Sequence, residues 1–138
     1  MLLSTQLAPA NDKEKLIESV DRALDSWVTY APHLDFFRRQ LQRSRPMAAA
    51  EVPSDVITMN SRFAVRDDHT GEMVCYTLVY PGEEAPCLGK LSVLGPMGMA
   101  LYGARVGEEV CWMSAAAPQV ATVQRLIYQP EAAGHHYR

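Results

Sequence analysis

The chain has 138 residues, of which 48% are apolar and 21% are charged, a composition that suits one hydrophobic core and excludes wholesale disorder. Its net charge of −3 is unevenly divided, because residues 1–46 carry seven basic and six acidic side chains while residues 47–138 carry six and ten. Attraction to phosphates supplies most non-specific nucleic-acid affinity, so the acidic C-terminal part disfavours direct, specific DNA binding. No stretch approaches the roughly 20 apolar residues of a bilayer-spanning helix, and we expect no membrane partner.

The first predicted element is a helix that begins at Asn11, a residue suited to cap the first turn while Glu14 reaches back. Mostly apolar residues recur at heptad spacing along this helix and again after a break at Pro32. The two stripes consist of Leu16, Val20, Ala23, Trp27 and Tyr30, and of Leu34, Phe37, Leu41 and Ser44. They predict a short antiparallel helical hairpin, a coiled-coil arm, over residues 1–46. A first helix of about 18 residues reaches only about 27 Å.

Residues 45–50 resemble a linker, after which the pattern changes to β. Four runs rich in β-branched and aromatic residues follow at 56–65, 73–80, 109–114 and 120–128. A shorter run at 90–93 precedes a brief helical segment at 97–102. The sequence therefore predicts an α+β protein, in which a curved antiparallel sheet with one short helix occupies residues 52–138.

Residue types that carry chemistry are sparse. Cys75, Cys87 and Cys111 are odd in number and lack CxxC spacing, which favours a reducing compartment over disulfides or zinc, with Cys75 and Cys111 as small apolar strand residues. No nucleophile elbow or phosphate-binding loop occurs, and the N-terminus does not resemble a secretion signal. We expect a cytoplasmic protein without catalytic residues, metal or cofactor. The histidines, at turn, loop and tail positions, predict solvated side chains: His33, His69, His135 and His136.

The most specific pattern lies within residues 88–130, where a β-like run, Gly95-Pro96, one helical turn and a β-hairpin follow one another. This order resembles the C-terminal domain of the bacterial transcript-cleavage factors, the Gre factors. Those proteins carry a Pro-x-x-x-Ala-Leu-x-Gly-x-x-x-Gly pattern, met here by Pro96, Ala100, Leu101, Gly103 and Gly107. Residues 56–61, 77–81 and 128–134 look closer still to a short-armed branch of that family, the regulators of nucleoside diphosphate kinase. The resemblance spans residues 52–134 and implies an FKBP-like half-barrel.

The resemblance also implies a partner, RNA polymerase. In Gre factors the turn before the short helix contacts a coiled coil of the largest polymerase subunit, at the rim of the secondary channel. Exposed apolar residues with flexible methionines on a turn suit such a protein contact. The candidate surface here comprises Leu94, Gly95, Pro96, Met97 and Met99, with Gly95 standing where Gre factors usually have serine.

The arm of a Gre factor carries two carboxylates at its tip, which help to hold a catalytic magnesium ion. The tip of this chain has no acidic pair, because Asp25 and Asp35 bracket an apolar turn. The expected function is therefore that of a non-catalytic regulator, not an enzyme, which competes with Gre factors. An influence on nucleoside diphosphate kinase levels, implied by the branch, would be indirect and run through transcription.

Two alternatives stay open. An FKBP-like fold also suits a peptidyl-prolyl isomerase, whose pocket needs several aromatic side chains around a proline ring. Residues beyond 50 supply seven such side chains: Phe63, Tyr76, Tyr80, Tyr102, Trp112, Tyr128 and Tyr137. The second alternative is nucleic-acid binding by the arginines of the second helix, which are Arg38, Arg39, Arg43 and Arg45.

Overall fold

The computed structural model describes residues 7–26, 32–43, 45–48, 51–114 and 117–134. Trp27, Tyr30, His135, His136 and Tyr137 lie outside these ranges, so the predictions made for them stay predictions. In chain order the elements are β1 (Leu7–Pro9), α1 (Ala10–Ser26), α2 (Pro32–Arg43), β2 (Arg45–Met47), β3 (Arg62–Asp67), β4 (Met73–Val79), a 3-10 turn (Pro86–Leu88), β5 (Lys90–Ser92), α3 (Pro96–Leu101), β6 (Glu109–Met113) and β7 (Pro118–Tyr128).

Helices α1 and α2 form the predicted helical hairpin. The described apolar heptad positions are its buried face, and Arg38 of α2 donates to the Asp21 carboxylate of α1 across it. The predicted start was wrong by one residue, because Asn11 already lies inside the helix. Part of the predicted linker is also a strand, since β2 pairs in parallel with β1. A three-residue strand whose partner lies far back in the chain leaves no periodic pattern by which sequence could reveal it.

The remaining strands form one curled sheet with the order β5-β4-β3-β7-β6. All neighbours are antiparallel except β5, which runs parallel to β4. The predicted α+β class is confirmed. The run predicted at 56–65 becomes a strand only at Arg62, because Asn60 adopts a left-handed conformation (φ 65°) within a turn that Ser61 N–H closes on the Thr58 carbonyl. Asparagine is one of the few residues that enters this conformation readily.

One hydrophobic core joins the hairpin to the sheet. Leu16 and Phe37 belong to the same buried cluster as Phe63 and Leu101, and the rings of Phe37 and Tyr102 meet edge to face with centroids 6.4 Å apart. The division at residues 46 and 52 stays a prediction, but side chains from both sides of it share this core. Within the described ranges, no helix has the length and apolar character needed to cross a membrane.

A buried carboxylate marks the junction between arm and sheet. Asp12, in the first turn of α1, is 2% exposed. Its carboxylate accepts hydrogen bonds from the Met59 N–H (3.0 Å) and from the hydroxyls of Tyr102 (3.3 Å) and Tyr80 (3.5 Å). Burial removes the charged form from water and raises the pKa of Asp12 to about 7, although the Met59 N–H opposes the rise. The arm is therefore fastened by a group that titrates near neutral pH.

The raised pKa of Asp12 predicts a pH-dependent stability. The folded state keeps this proton up to about pH 7 while the unfolded chain releases it near its model value of 3.8, so the stabilisation falls as pH rises between these values. Asp12→Asn stays neutral and lacks this loss. From pH 4 to pH 8, the free energy of unfolding of the variant should rise relative to wild type by roughly 2–4 kcal/mol, measured by urea denaturation. Parallel profiles for the two proteins would contradict the prediction.

Candidate functional site

The candidate docking surface, residues 94–97 and 99, lies on the turn from β5 to α3. Gly95 caps the helix in an extended conformation, and Pro96 occupies its first turn, where a missing N–H costs nothing. Ser92 holds the turn from the strand side, because its hydroxyl accepts from Leu94 N–H (3.2 Å) and its carbonyl accepts from Gly95 N–H (3.3 Å). The turn is thus a fixed feature of the backbone.

A glycine sets how closely α3 approaches the strand. A Cβ atom on Gly98 would lie 2.1 Å from the Ser92 carbonyl oxygen and 2.8 Å from the Val93 Cα. Both are backbone atoms, so a side-chain movement does not relieve the clash. Gly95 is different, since its Cβ would meet the Ser92 oxygen at an ordinary 3.6 Å. Gly98 therefore positions the whole turn, although sequence reasoning did not single it out.

The structure places Leu94 and Gly95 on the turn and Pro96, Met97 and Met99 at the start of α3, with unequal exposure. Pro96 is exposed, whereas Gly95, Leu94, Met97 and Met99 are half-buried. The three larger side chains also pack against the hydrophobic core. Pro96 is therefore the most exposed residue of the surface, and the apolar side chains around it are held in place by their packing against the core.

The other residues of the Gre-like pattern build the fold. Ala100 and Leu101 are buried on the core side of α3. Gly103 has φ 83° and donates its N–H to the Ile57 carbonyl, and Gly107 has φ 92° and donates to the Val123 carbonyl. A residue with a Cβ is strained at such angles, so both positions favour glycine. Among the five pattern residues, Pro96 alone faces solvent without such a structural contact among those described.

The segments that carry the closer resemblance, 56–61, 77–81 and 128–134, meet at the arm–sheet junction. Met59 and Tyr80 donate to Asp12, while Thr58 donates its hydroxyl to the Glu131 carboxylate (2.7 Å). The Gln129 side chain donates to the carbonyls of Pro53 and Val56. Segments 56–61 and 77–81 therefore bond the arm directly, and segment 128–134 bonds the first of these two segments and the residues before it.

The remaining predicted residues have ordinary surroundings. Arg38 and Arg39 pair with Asp21 and Asp35, which leaves less free charge on the arm than its sequence indicates. Phe63 and Tyr102 are fully buried in the core. The three cysteines are free, and Cys75 and Cys111 are exposed on their strands rather than packed as small apolar residues. Across the described ranges, no three His, Cys, Asp or Glu side chains cluster closely enough to hold a metal ion.

Two features were missed by sequence reasoning. Asp12 precedes the apolar stripe and looks like an ordinary first-turn acid, so its burial was invisible without the partners from residues 59, 80 and 102. A group of arginines on the outer face of the sheet was missed as well. The alternation of Arg62 and Arg66 along β3 was a usable signal, but the third member, Arg125, joins them only through strand register.

The fold and the turn define a class of protein. Residues 52–124 match the family model for the C-terminal domain of the transcription elongation factors GreA and GreB, and this chain belongs to that family of Gre-related transcription factors. Residue identity points to one branch. The chain is 40% identical over 106 residues to the regulator of nucleoside diphosphate kinase of Escherichia coli K12, covering 76% of this chain and 78% of that protein.

Further similarities agree with this assignment. The chain is 29% identical over 77 residues to the elongation factor GreA of Solidesulfovibrio magneticus, a match that covers 56% of this chain and 47% of GreA. A solved structure of an elongation factor GreA/GreB from Nitrosomonas europaea superposes with a TM-score of 0.71 at 28% identity, over 90% of this chain and 98% of that one. These relatives are named regulators or elongation factors, names that do not denote enzymes.

The close approach of α3 to β5 predicts opposite effects for two neighbouring glycines. Gly98→Ala forces a Cβ into the Ser92 and Val93 backbone and should lower the free energy of unfolding by about 1–3 kcal/mol or more. Gly95→Ala meets no clash and should be neutral or slightly stabilising, by up to about 1 kcal/mol. Chemical denaturation of both variants tests the pair, and equal stabilities would contradict this geometry.

Proposed function

We propose that this protein is a non-catalytic regulator that binds RNA polymerase through the turn at Leu94, Gly95, Pro96, Met97 and Met99. The docking position is the rim of the secondary channel, on the coiled coil of the largest subunit. The observation that carries the proposal is Pro96, which is exposed while the rest of the Gre-like pattern is used by the fold. Membership of the GreA/GreB family supports the partner.

The chemistry of the turn fits a protein partner. A rigid proline flanked by partly exposed methionines and a leucine offers apolar area without a loop that must first be ordered, which lowers the entropic cost of binding. The hydrogen bonds from the N–H groups of Leu94 and Gly95 to the hydroxyl and the carbonyl of Ser92 keep the turn in one shape. A preformed apolar projection of this kind suits insertion against a helical surface.

Regulation follows from occupancy of the site. A protein that fills the rim of the channel without supplying metal-binding carboxylates at its arm tip excludes Gre factors by mass action. An effect on nucleoside diphosphate kinase levels, suggested by the name of the 40% identical relative, is then an indirect result of altered transcription in the cytoplasm. The isomerase alternative gains no support from Phe63 and Tyr102, which are buried in the core and unavailable to enclose a proline ring.

Pro96→Asp tests the contact itself. The substitution places a carboxylate among apolar side chains, and a partner surface that closes over it leaves a charge desolvated and unpaired. We expect affinity for immobilised core RNA polymerase to fall more than tenfold, with Pro96→Ala between the variant and wild type. Pro86→Asp is the matched control, because Pro86 is also exposed in the first turn of a short helix. Wild-type affinity in a folded Pro96→Asp variant would exclude this turn as the contact surface.

Competition with a Gre factor tests the position. If both proteins use the same rim, increasing amounts of unlabelled GreA should displace the fluorescently labelled protein from core polymerase completely. Displacement should follow simple competition, with a midpoint that rises linearly with the concentration of labelled protein. A ternary complex in which both proteins remain bound at saturation would contradict a shared site while leaving polymerase binding intact.

A further inference from the structure

Three arginines surround one small residue on the outer face of the sheet. Phe63 and Val65 of β3 point into the core, so the alternation of a strand places Arg62, Ala64 and Arg66 on the opposite face. Strand β7 contributes Arg125, which is the register partner of Ala64. We name the surface formed by Arg62, Arg66 and Arg125 around Ala64 the arginine face.

The centre of the arginine face is covered while its charges are exposed. Ala64 is only 3% exposed, although no core residue lies on its side of the sheet in the register described. The three arginines beside it are all exposed. Long basic side chains lay their aliphatic stems over a neighbour and keep their charged ends in water, which accounts for both observations. The guanidinium groups of the three arginines therefore surround a covered alanine.

The positive charge of the arginine face is compensated at the Arg66 end only. Like charges that neighbour each other on one sheet face are destabilising. Arg66 approaches the half-buried Asp68 carboxylate at 3.7 Å, and Glu109, which like Arg66 has Thr122 as its register partner, lies beside that carboxylate. Within the described residues neither Arg62 nor Arg125 forms an ion pair. Half of the six basic residues in positions 47–138 lie here, in a part of the chain with ten acidic ones. This arrangement calls for an anionic partner.

The neighbouring side chains indicate the class of that partner. Met73 and Cys75 of β4 are exposed register neighbours of Arg66 and Ala64 on the same face, and Met73 is 54% exposed. Arginine and methionine together are typical of protein–protein interfaces. A guanidinium fork also matches a carboxylate with two parallel hydrogen bonds. A phosphate strand, by contrast, would extend over the acidic remainder of this part of the chain.

We propose that the arginine face binds a segment of a partner protein that carries several carboxylate side chains beside an apolar residue. The carboxylates pair with Arg62 and Arg125, and the apolar residue rests on Met73. This surface is separate from the docking turn, because α3 packs on the core side of the sheet through Ala100 and Leu101. A partner bound to the arginine face leaves Pro96 free, so the protein is able to bind two partners at once.

The test uses the full chain and a labelled glutamate-rich peptide that contains leucine, with binding followed by fluorescence anisotropy at low salt. We expect the peptide to bind and its glutamine counterpart not to bind. Arg125→Gln should weaken binding about tenfold, and Arg125→Lys should fall between, because lysine keeps the charge but loses the fork. Arg105→Gln, a control at an exposed arginine away from the sheet face, should match wild type.

Amide chemical shifts should move in β3, β4 and β7 as the peptide is added, and Arg62→Gln should give a second, independent loss of affinity. Thermal unfolding of each variant confirms that it is folded. Equal binding by the Arg125→Gln and Arg105→Gln variants, or no binding by wild type, overturns the proposal. Tighter binding of oligouridine of equal charge overturns the assigned class in favour of nucleic acid. None of these outcomes depends on whether polymerase binds at Pro96.

Discussion

The buried carboxylate of Asp12 is the contact on which the arrangement of arm and sheet depends. A carboxylate removed from water is costly unless donors replace the lost hydration, and here the donors come from three separate places in the chain, Met59, Tyr80 and Tyr102. Each donor ties the first turn of α1 to a different part of the sheet domain. The arm is therefore oriented by directional bonds, while the apolar stripes of α1 and α2 supply the non-directional burial that keeps it in place.

The same junction explains why a short arm is stable. An isolated pair of helices of 17 and 12 residues buries little surface of its own. Sharing one core with the sheet removes that weakness, as the edge-to-face contact of Phe37 and Tyr102 illustrates. Because Asp12 gains or loses its proton near neutral pH, the attachment of the arm depends on the pH of the solution. Tyr102 follows α3 directly, so the arm and the proposed docking turn are connected through a few residues.

The Gre-like pattern separates into a part that shapes the fold and a part available for contact. Glycines at positive φ and a glycine with no room for a Cβ determine where α3 lies. Among the pattern residues, Pro96 is the exposed one whose side chain the described fold does not use, since the exposed Gly107 is held by its N–H bond to the Val123 carbonyl. The net charge of the chain does not predict the charge of a local surface. A net-acidic chain presents three arginines around Ala64, because pairing of β3 with β7 brings Arg125 beside residues far from it in sequence.

Local patterns in the sequence determined the elements and the class of the fold. Heptad spacing identified the hairpin, alternation and β-branching identified the strands from Arg62 onward, and Gly95-Pro96 located the turn before α3, because each of these signals is carried by neighbouring residues. Tertiary structure alone decided the burial of Asp12, the β1–β2 pair, the parallel β5 and the place of Arg125 in the arginine face. Each of these features depends on contacts between residues that are far apart in the chain, through hydrogen bonds or strand pairing. The periodicity of a sequence reports only on neighbouring residues and does not predict such contacts.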